Sequence, residues 1–294
     1  MGIFGVGWGD IIAAAVDGVL IGSVYGLIGV GLALIWGVME VINFAHGDYM
    51  MLGALTTYFL FTLAGIDPLV SAPLSFAIVF LLGVLTQRAA INRILDAPLL
   101  TQIAVTFAIL LIIRYGVEAL LGPYTRRIVS WYANIYYYLG PVVIPLPKLI
   151  SFIVSIIVAI GLYVFLFKTR TGIALRATSQ NRIVAQLMGI NVYRMYEIAF
   201  GIGVGVAALA GSLLALFYPI FPEMGAFFAL IAFIVVVLGG FGSVFGAYVG
   251  GIIVGLTETL SALFIEPALK DVVAFMLFII IILVKPTGLF GKKV

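Results

Sequence analysis

The chain has one histidine, His46, placed three residues after an amide, Asn43, and two before a carboxylate, Asp48, in the stretch INFAHGDYMMLGAL (42–55). A single imidazole makes no metal centre, because such sites draw on several His, Cys or carboxylate ligands. The sequence has no cysteine, which removes thiolate ligands, cysteine nucleophiles and disulfides together. No Ser/His/Asp set, HExxH or paired-carboxylate motif accompanies the histidine, so an intramembrane enzyme is a poor reading. GIGVGVAALAG (201–211) has glycine spacing like that of a dinucleotide fingerprint, but it follows no strand and lies inside an apolar run. The chemistry left to this chain is polar contact: binding, orienting or passing a solute without altering it.

The elements that must position these groups are membrane helices. The 294 residues are 64% hydrophobic and 9% charged, with a mean hydropathy of +1.30, far from the roughly 25% charged usage of soluble domains. The apolar runs are continuous rather than alternating, which disfavours a barrel. The expected fold is all-α, a single polytopic helical domain over 1–294. Helical spans fall near 11–36, 44–64, 69–87, 99–121, 149–167, 196–218, 224–238, 244–264 and 270–284, a count of nine within a range of eight to ten. Three of these are short or glycine-interrupted, as half-helices buried in protein would be. MGIFGVGWGD carries no Lys or Arg ahead of the first span and so lacks the basic region of a cleaved leader; that span is expected to be retained. The pI near 9.0 comes from a few basic loops and gives no support to nucleic-acid binding.

Basic residues set the orientation. Arg88, Arg93, Lys168, Arg170, Arg176, Arg182, Arg194, Lys285, Lys292 and Lys293 gather on one side. Arg126, Arg127, Lys148 and Lys270 lie on the other, together with Asp10, Asp67, Glu223, Glu266 and Asp271. The bias places the C-terminus in the cytoplasm and the N-terminus outside. The long external connection, 122–148, carries Trp131, Tyr132, Tyr136, Tyr137 and Tyr138, either an interfacial aromatic belt or a docking surface for a soluble partner. Pro141, Pro145 and Pro147 mark its end as non-helical.

TGIALRATSQNRIVAQLMGINVYR (171–194) is the least membrane-like stretch, with three arginines and no acid. Ile183, Val184, Leu187 and Met188 recur at helical spacing and Gly189 is a natural stop. This predicts a short amphipathic helix on the cytoplasmic side, suited to a partner's groove; the alternative is a solvated loop.

GLALIWGVMEVINFAHGDYMMLGAL (31–55), LRATSQNRIVAQLMGINVYR (175–194), VVVLGGFGSVFGAYVGGIIVGLTETL (235–260) and KPTGLFG (285–291), in that order, resemble the permease subunits of branched-chain amino acid ABC importers, the LivH type. The resemblance implies a subunit without chemistry of its own in the inner membrane of a prokaryote. A second permease subunit, homologous or identical, would complete the path. Two cytoplasmic ATPases would bind ATP and Mg²⁺, and an external solute-binding protein would deliver the solute. It makes 172–191 the coupling helix, with Arg176, Gln180, Asn181, Arg182, Ala185, Leu187, Met188 and Gly189 as its contact residues. The chain has no GxxxxGK[ST] phosphate loop. The competing function is an ion-coupled secondary carrier or facilitator, which would put weight on Asp48 and Glu258.

A His or Asp at bilayer depth is expensive unless it faces protein or water. If Gly47 and Gly53 loosen the helix, Asn43, His46 and Asp48 satisfy freed backbone groups and each other in a broken helix lining the pathway; the alternative is a cap in which Asn43 or Asp48 binds backbone N–H groups. LGGFGSVFG (238–246) is a second break, with Gly239, Gly240, Gly242 and Ser243, expected to be the counterpart of the first in an internal repeat. Gly201 with Gly205, and Gly246 with Gly250, have the spacing of close helix packing. Arg114 and Glu118, four apart, are expected to pair with each other. Glu197 belongs at the cytoplasmic boundary near Arg194. Glu258 has no basic residue within one helical turn and could face the pathway, a neighbouring subunit or hydrated surface.

Overall fold

A computed structural model describes residues 7–265, 269–285 and 287–291. Expectations resting on residues 1–6, Glu266, Lys292 and Lys293, and on the side chains of Lys270 and Asp271, lie outside the described residues.

The element order is α1 (Trp8–Met39), α2 (His46–Ala64), α3 (Pro68–Ala89), a 3-10 turn (Ile91–Arg93), α4 (Leu99–Leu121), β1 (Tyr136–Leu139), β2 (Val142–Pro145), α5 (Leu146–Lys168), α6 (Arg170–Gln180), α7 (Arg182–Leu187), α8 (Val192–Leu214), α9 (Met224–Gly239), α10 (Val244–Phe264) and α11 (Lys270–Val284). All nine expected spans are helices. Six of them, in α1, α3, α4, α5, α8 and α10, are long and apolar enough to cross a membrane; α9 and α11 are shorter apolar helices. The polar start of α2 keeps it out of the six.

α1 and α8 are almost wholly buried, whereas α3, α4 and α5 turn most of their apolar surface outward. That distribution suits lipid outside and protein inside. Small residues allow the central helices to approach closely. On α1, Gly18, Gly22 and Gly26 recur every four residues, and a Cβ on any of them would run into the backbone of α10 around Tyr248, Gly251 and Gly255. On α8, Gly201 and Gly205 receive the rings of Phe80 and Phe76 from α3. Their role is the close packing their spacing implied.

The helix ends collect charge unevenly. The ends of α3, α5 and α7 and the start of α8 share one side with Arg88, Lys168, Arg182 and Arg194, and there Arg88 pairs with Glu197 at 2.7 Å and Arg182 with Asp96 at 2.9 Å. On the opposite side Lys148 pairs with Asp17, a carboxylate inside the first span that the charge inventory had passed over. The long external connection is pinned there: Tyr132 donates to Asp67 at 3.4 Å, and Asp67 in turn caps α3 through the Leu69 N–H at 2.9 Å. Burial first, then the Asp67 carboxylate, pushes the Tyr132 hydroxyl up to about 12.

One feature was not foreseen and two expectations need correction. The external connection contains an antiparallel hairpin, Tyr136 opposite Pro145 through Leu139 opposite Val142, whose Val142 and Ile144 pack on Leu20 of α1. Pro147 lies inside the first turn of α5, the position in a helix that tolerates a missing N–H. The amphipathic stretch is two helices rather than one, because Asn181 leaves helical geometry and accepts from Ile183 and Val184 N–H, capping α7. Gly189 ends the segment at φ +82, as its type suggested.

Candidate functional site

The first break occupies residues 40–45. Helix α1 stops at Glu40, the one non-glycine among the described residues with positive φ (57°), a conformation that costs a non-glycine about 1 kcal/mol or more. The chain folds back, and α2 begins beside the middle of α1 instead of below its end: His46 Nε2 donates to the Ile28 carbonyl at 2.9 Å, and Gly31 leaves the space that the ring occupies. Ile28 lies eleven residues before Met39, about 16 Å at 1.5 Å per residue. Asn43, His46, Gly47 and Asp48 are all buried.

The glycines do not loosen this helix. Gly47 and Gly53 lie within regular α2, and a Cβ on Gly47 would strike the Gly225 carbonyl of α9, on Gly53 the backbone of Ala208 in α8. Their function here is contact. The capping alternative also fails, since the N-cap of α2 is Ala45 with no side-chain bond. Asn43 keeps both amide atoms without a hydrogen-bond partner among the described residues, and so does His46 Nδ1.

Asp48 is satisfied from a helix that sequence spacing did not connect to it. Arg114 of α4 donates through Nε to Oδ1 and through Nη2 to Oδ2, both at 3.0 Å. The expected Arg114–Glu118 pair does not form, because the Nε–Nη2 edge of the guanidinium is turned to Asp48 on α2. Thr106, two turns earlier on α4, donates to the Ile42 carbonyl at 2.9 Å. With buried Leu110 and Val117, these residues make one stripe of α4 that covers the break. The signal was present as Thr106, Leu110, Arg114 and Val117 at helical spacing in an otherwise lipid-like span.

The second break, residues 240–243, packs on the end of α1 that leads into the first: the Trp36 and Phe241 rings meet tilted at 42° with centroids 4.9 Å apart, and Gly37 lies against Gly242. Gly240 and Gly242 take φ values of 100° and 76°, open only to glycine at little cost. Ser243 caps α10 through the Gly246 N–H at 3.0 Å. Gly239 packs on Gly246, and the tail closes over the break, Leu289 N–H on the Leu238 carbonyl at 2.8 Å and Phe290 N–H on that of Gly239 at 3.1 Å. Glu258 is not part of this cluster. It is buried between α9, α10 and α11 beside Phe227, Ile231 and Ala274, while Gly225 and Ala229 on another face of α9 meet Asp48 and Gly47.

In the segment 171–194, Gln180, Asn181, Arg182, Leu187, Met188 and Gly189 are exposed, and Ala185 is buried. Ile183, Val184, Leu187 and Met188 are 64%, 52%, 81% and 78% exposed, an apolar tip with no cover from this chain. Arg176 turns the other way: its Nε donates to the Leu166 carbonyl at 3.1 Å and its guanidinium lies 4.2 Å from the centre of the Phe167 ring. Glu197 lies near Arg194, as expected, and makes its ion pair with Arg88.

No solved structure matches the chain significantly. Its sequence is 32% identical over 290 residues to the high-affinity branched-chain amino acid transport system permease protein LivH of Escherichia coli, covering 94% of both chains. It is 31% identical over the same coverage to BraD of Pseudomonas aeruginosa, which carries the same description. A probable branched-chain amino acid transport permease protein LivH of Methanocaldococcus jannaschii is 30% identical over 280 residues, covering 90% of this chain and 88% of that one. The family described as branched-chain amino acid transport system / permease component matches residues 14–282. With its apolar helices and its polar break held in the bundle, the chain is a multi-pass membrane protein and belongs to that permease family.

Proposed function

We propose that the chain is a permease subunit of an ATP-binding cassette importer, forming the membrane path for branched-chain amino acids or similar small polar solutes. A second permease subunit, homologous or identical, completes the path in the inner membrane of a prokaryote. Two cytoplasmic ATPases bind ATP and Mg²⁺ and drive transport, and an external solute-binding protein delivers the solute. This chain catalyses nothing and holds no cofactor of its own, in keeping with a sequence that lacks GxxxxGK[ST]. Asn43, His46, Gly47, Asp48 and the second break at Gly239, Gly240, Gly242 and Ser243 line or shape the path, with Glu258 at a separate position on it.

The observation that carries the reading is α7. Four large apolar side chains stand exposed on the basic side of the molecule, outside the lipid-spanning helices, and an exposed apolar patch of this kind marks a protein contact. A short helix laid into a groove is a standard way to make one. An ATPase on that side meets the need for an energy source that the chain lacks. The test is uptake in proteoliposomes containing this chain with its candidate partners. ATP-dependent uptake that disappears when the ATPases are omitted is expected. Uptake by this chain alone, driven by a proton or sodium gradient, would overturn the reading in favour of a secondary carrier.

A further inference from the structure

The turn that opens α2 holds polar atoms that the protein leaves unused. Asn43 is 1% exposed, and neither its Oδ1 nor its Nδ2 has a partner among the described residues. His46 is fully buried; its Nε2 faces the Ile28 carbonyl, and a carbonyl only accepts, so Nε2 carries the hydrogen. In the neutral ring Nδ1 then presents a lone pair, and it too has no partner. The two residues belong to one turn, closed by the His46 N–H on the Asn43 carbonyl at 3.2 Å. That turn leads directly into a helix of 19 residues whose N-terminus no side chain caps.

We propose that this turn and the N-terminus of α2 bind the zwitterionic end of an α-amino acid as it crosses the membrane. The inference rests on the pathway reading above and deepens it. The Asn43 Nδ2 faces the carboxylate beside the N-terminus of α2, whose dipole favours an anion even though the His46 and Asp48 N–H groups are held by the Asn43 and Ala45 carbonyls. The Asn43 Oδ1 and the His46 Nδ1 accept from the ammonium group. The ions of the site support a solute without net charge. Asp48 and Arg114 neutralise each other through two bonds, so what the turn offers a ligand is a dipole, with donors at one end and acceptors at the other. A purely anionic or purely cationic solute matches only one end. Buried polar groups built to pair with a ligand also reject ligands that leave them unpaired.

The experiment uses the assembled transporter, this chain with its partner permease and ATPases, probed with a leucine analogue bearing a photoreactive diazirine in its side chain. Wild type is expected to be labelled on or beside residues 42–47. Excess leucine should abolish the labelling, whereas neither leucinamide, which lacks the carboxylate, nor the deaminated acid should compete. Two variants separate ligand contact from structure. His46→Gln places an amide nitrogen where Nε2 stood, keeping the bond to Ile28 while removing the Nδ1 acceptor. Asn43→Leu removes two buried polar atoms that bond nothing in the protein. Both variants are expected to assemble with unchanged or higher melting temperatures, to lose the labelling, and to take up leucine at least tenfold more slowly. Labelling confined to other helices, competition by leucinamide equal to that by leucine, or uptake within twofold of wild type in both variants overturns the site and leaves a buried water there instead. Should Asn43→Leu fail to assemble, His46→Gln decides alone. Failure of the pathway reading is distinguishable, because wild type itself would then show no ATP-dependent uptake.

Discussion

Arg114 on α4 and Asp48 on α2, 66 residues apart, form a two-bond ion pair in which the carboxylate is wholly buried and the guanidinium side chain 16% exposed. α4 is otherwise an outward-facing helix, held to the break by this pair, the Thr106–Ile42 bond and a few apolar contacts. The pair fastens a lipid-facing helix over the polar turn.

Removing one partner should therefore cost far more than removing both. A lone buried charge costs about 3–5 kcal/mol, whereas an apolar replacement of the whole pair is often close to neutral. Arg114→Met and Asp48→Leu are each expected to lower stability by that order, and the double variant should recover most of the loss. Thermal unfolding of the four proteins in detergent closes the cycle. Additive single losses would show that the pair carries no coupling.

The α1–α10 seam should be the least tolerant surface in the molecule. A Cβ on Gly251 collides with the backbone at Gly26, and one on Gly255 with Gly18 and Gly22, so the helices themselves must separate. Gly251→Val and Gly255→Val are expected to lose at least the roughly 1–3 kcal/mol of ordinary overpacking. Gly161 of α5 has nothing within 4 Å of its added Cβ, and Gly161→Ala should be silent or gain about 0.5–1 kcal/mol from helix propensity. Melting temperatures measured side by side check the contrast.

The tail residues 287–291 should behave as part of the second break. The last carbonyls of a helix need donors from elsewhere, and α9 takes two of them from Leu289 and Phe290. Each such bond contributes about 0.5–1.5 kcal/mol net. The Phe290–Phe245 contact, centroids 5.5 Å apart, adds a similar amount. Ending the chain after Lys285 is expected to lower stability by a few kcal/mol, and Phe290→Ala by the ring contact alone. Equal melting of the truncated and full chains would remove the tail from the structure of the break.

Span positions were legible because membrane helices announce themselves in local composition: 11–36 corresponds to Trp8–Met39, and 244–264 to Val244–Phe264. Contacts between spans were not. Arg114 has Glu118 one turn away in sequence, and only the placement of α4 against α2 directs it to Asp48. Gly47 and Gly53 read as points of weakness because a single sequence does not show what approaches them, namely Gly225 and Ala208. The Gly18–Gly22–Gly26 repeat was visible in the letters, yet its meaning depends on a facing helix more than two hundred residues away. Asn181 carried a local signal that was missed, an amide two residues before the β-branched pair Ile183–Val184, able to stop one helix and cap the next.

The two arginine-bearing faces of 170–189 predict opposite phenotypes. Leu187 and Met188 lean on nothing in this chain, so Leu187→Asp with Met188→Asp leaves the fold its contacts and removes only an apolar surface. The double variant is expected to melt as wild type does and to retain less than a tenth of the ATPase in co-purification. Arg176 is tied to its own subunit, to the Leu166 carbonyl and the face of Phe167. Arg176→Glu turns a donor into an acceptor against that carbonyl and loses a cation–π contact of about 0.5–2 kcal/mol; it should lower the melting temperature first and ATPase binding only as a consequence. Normal ATPase binding by the Leu187/Met188 variant would move the contact off α7. If Arg176→Glu melts as wild type does but loses the ATPase, the arginine belongs to the contact after all.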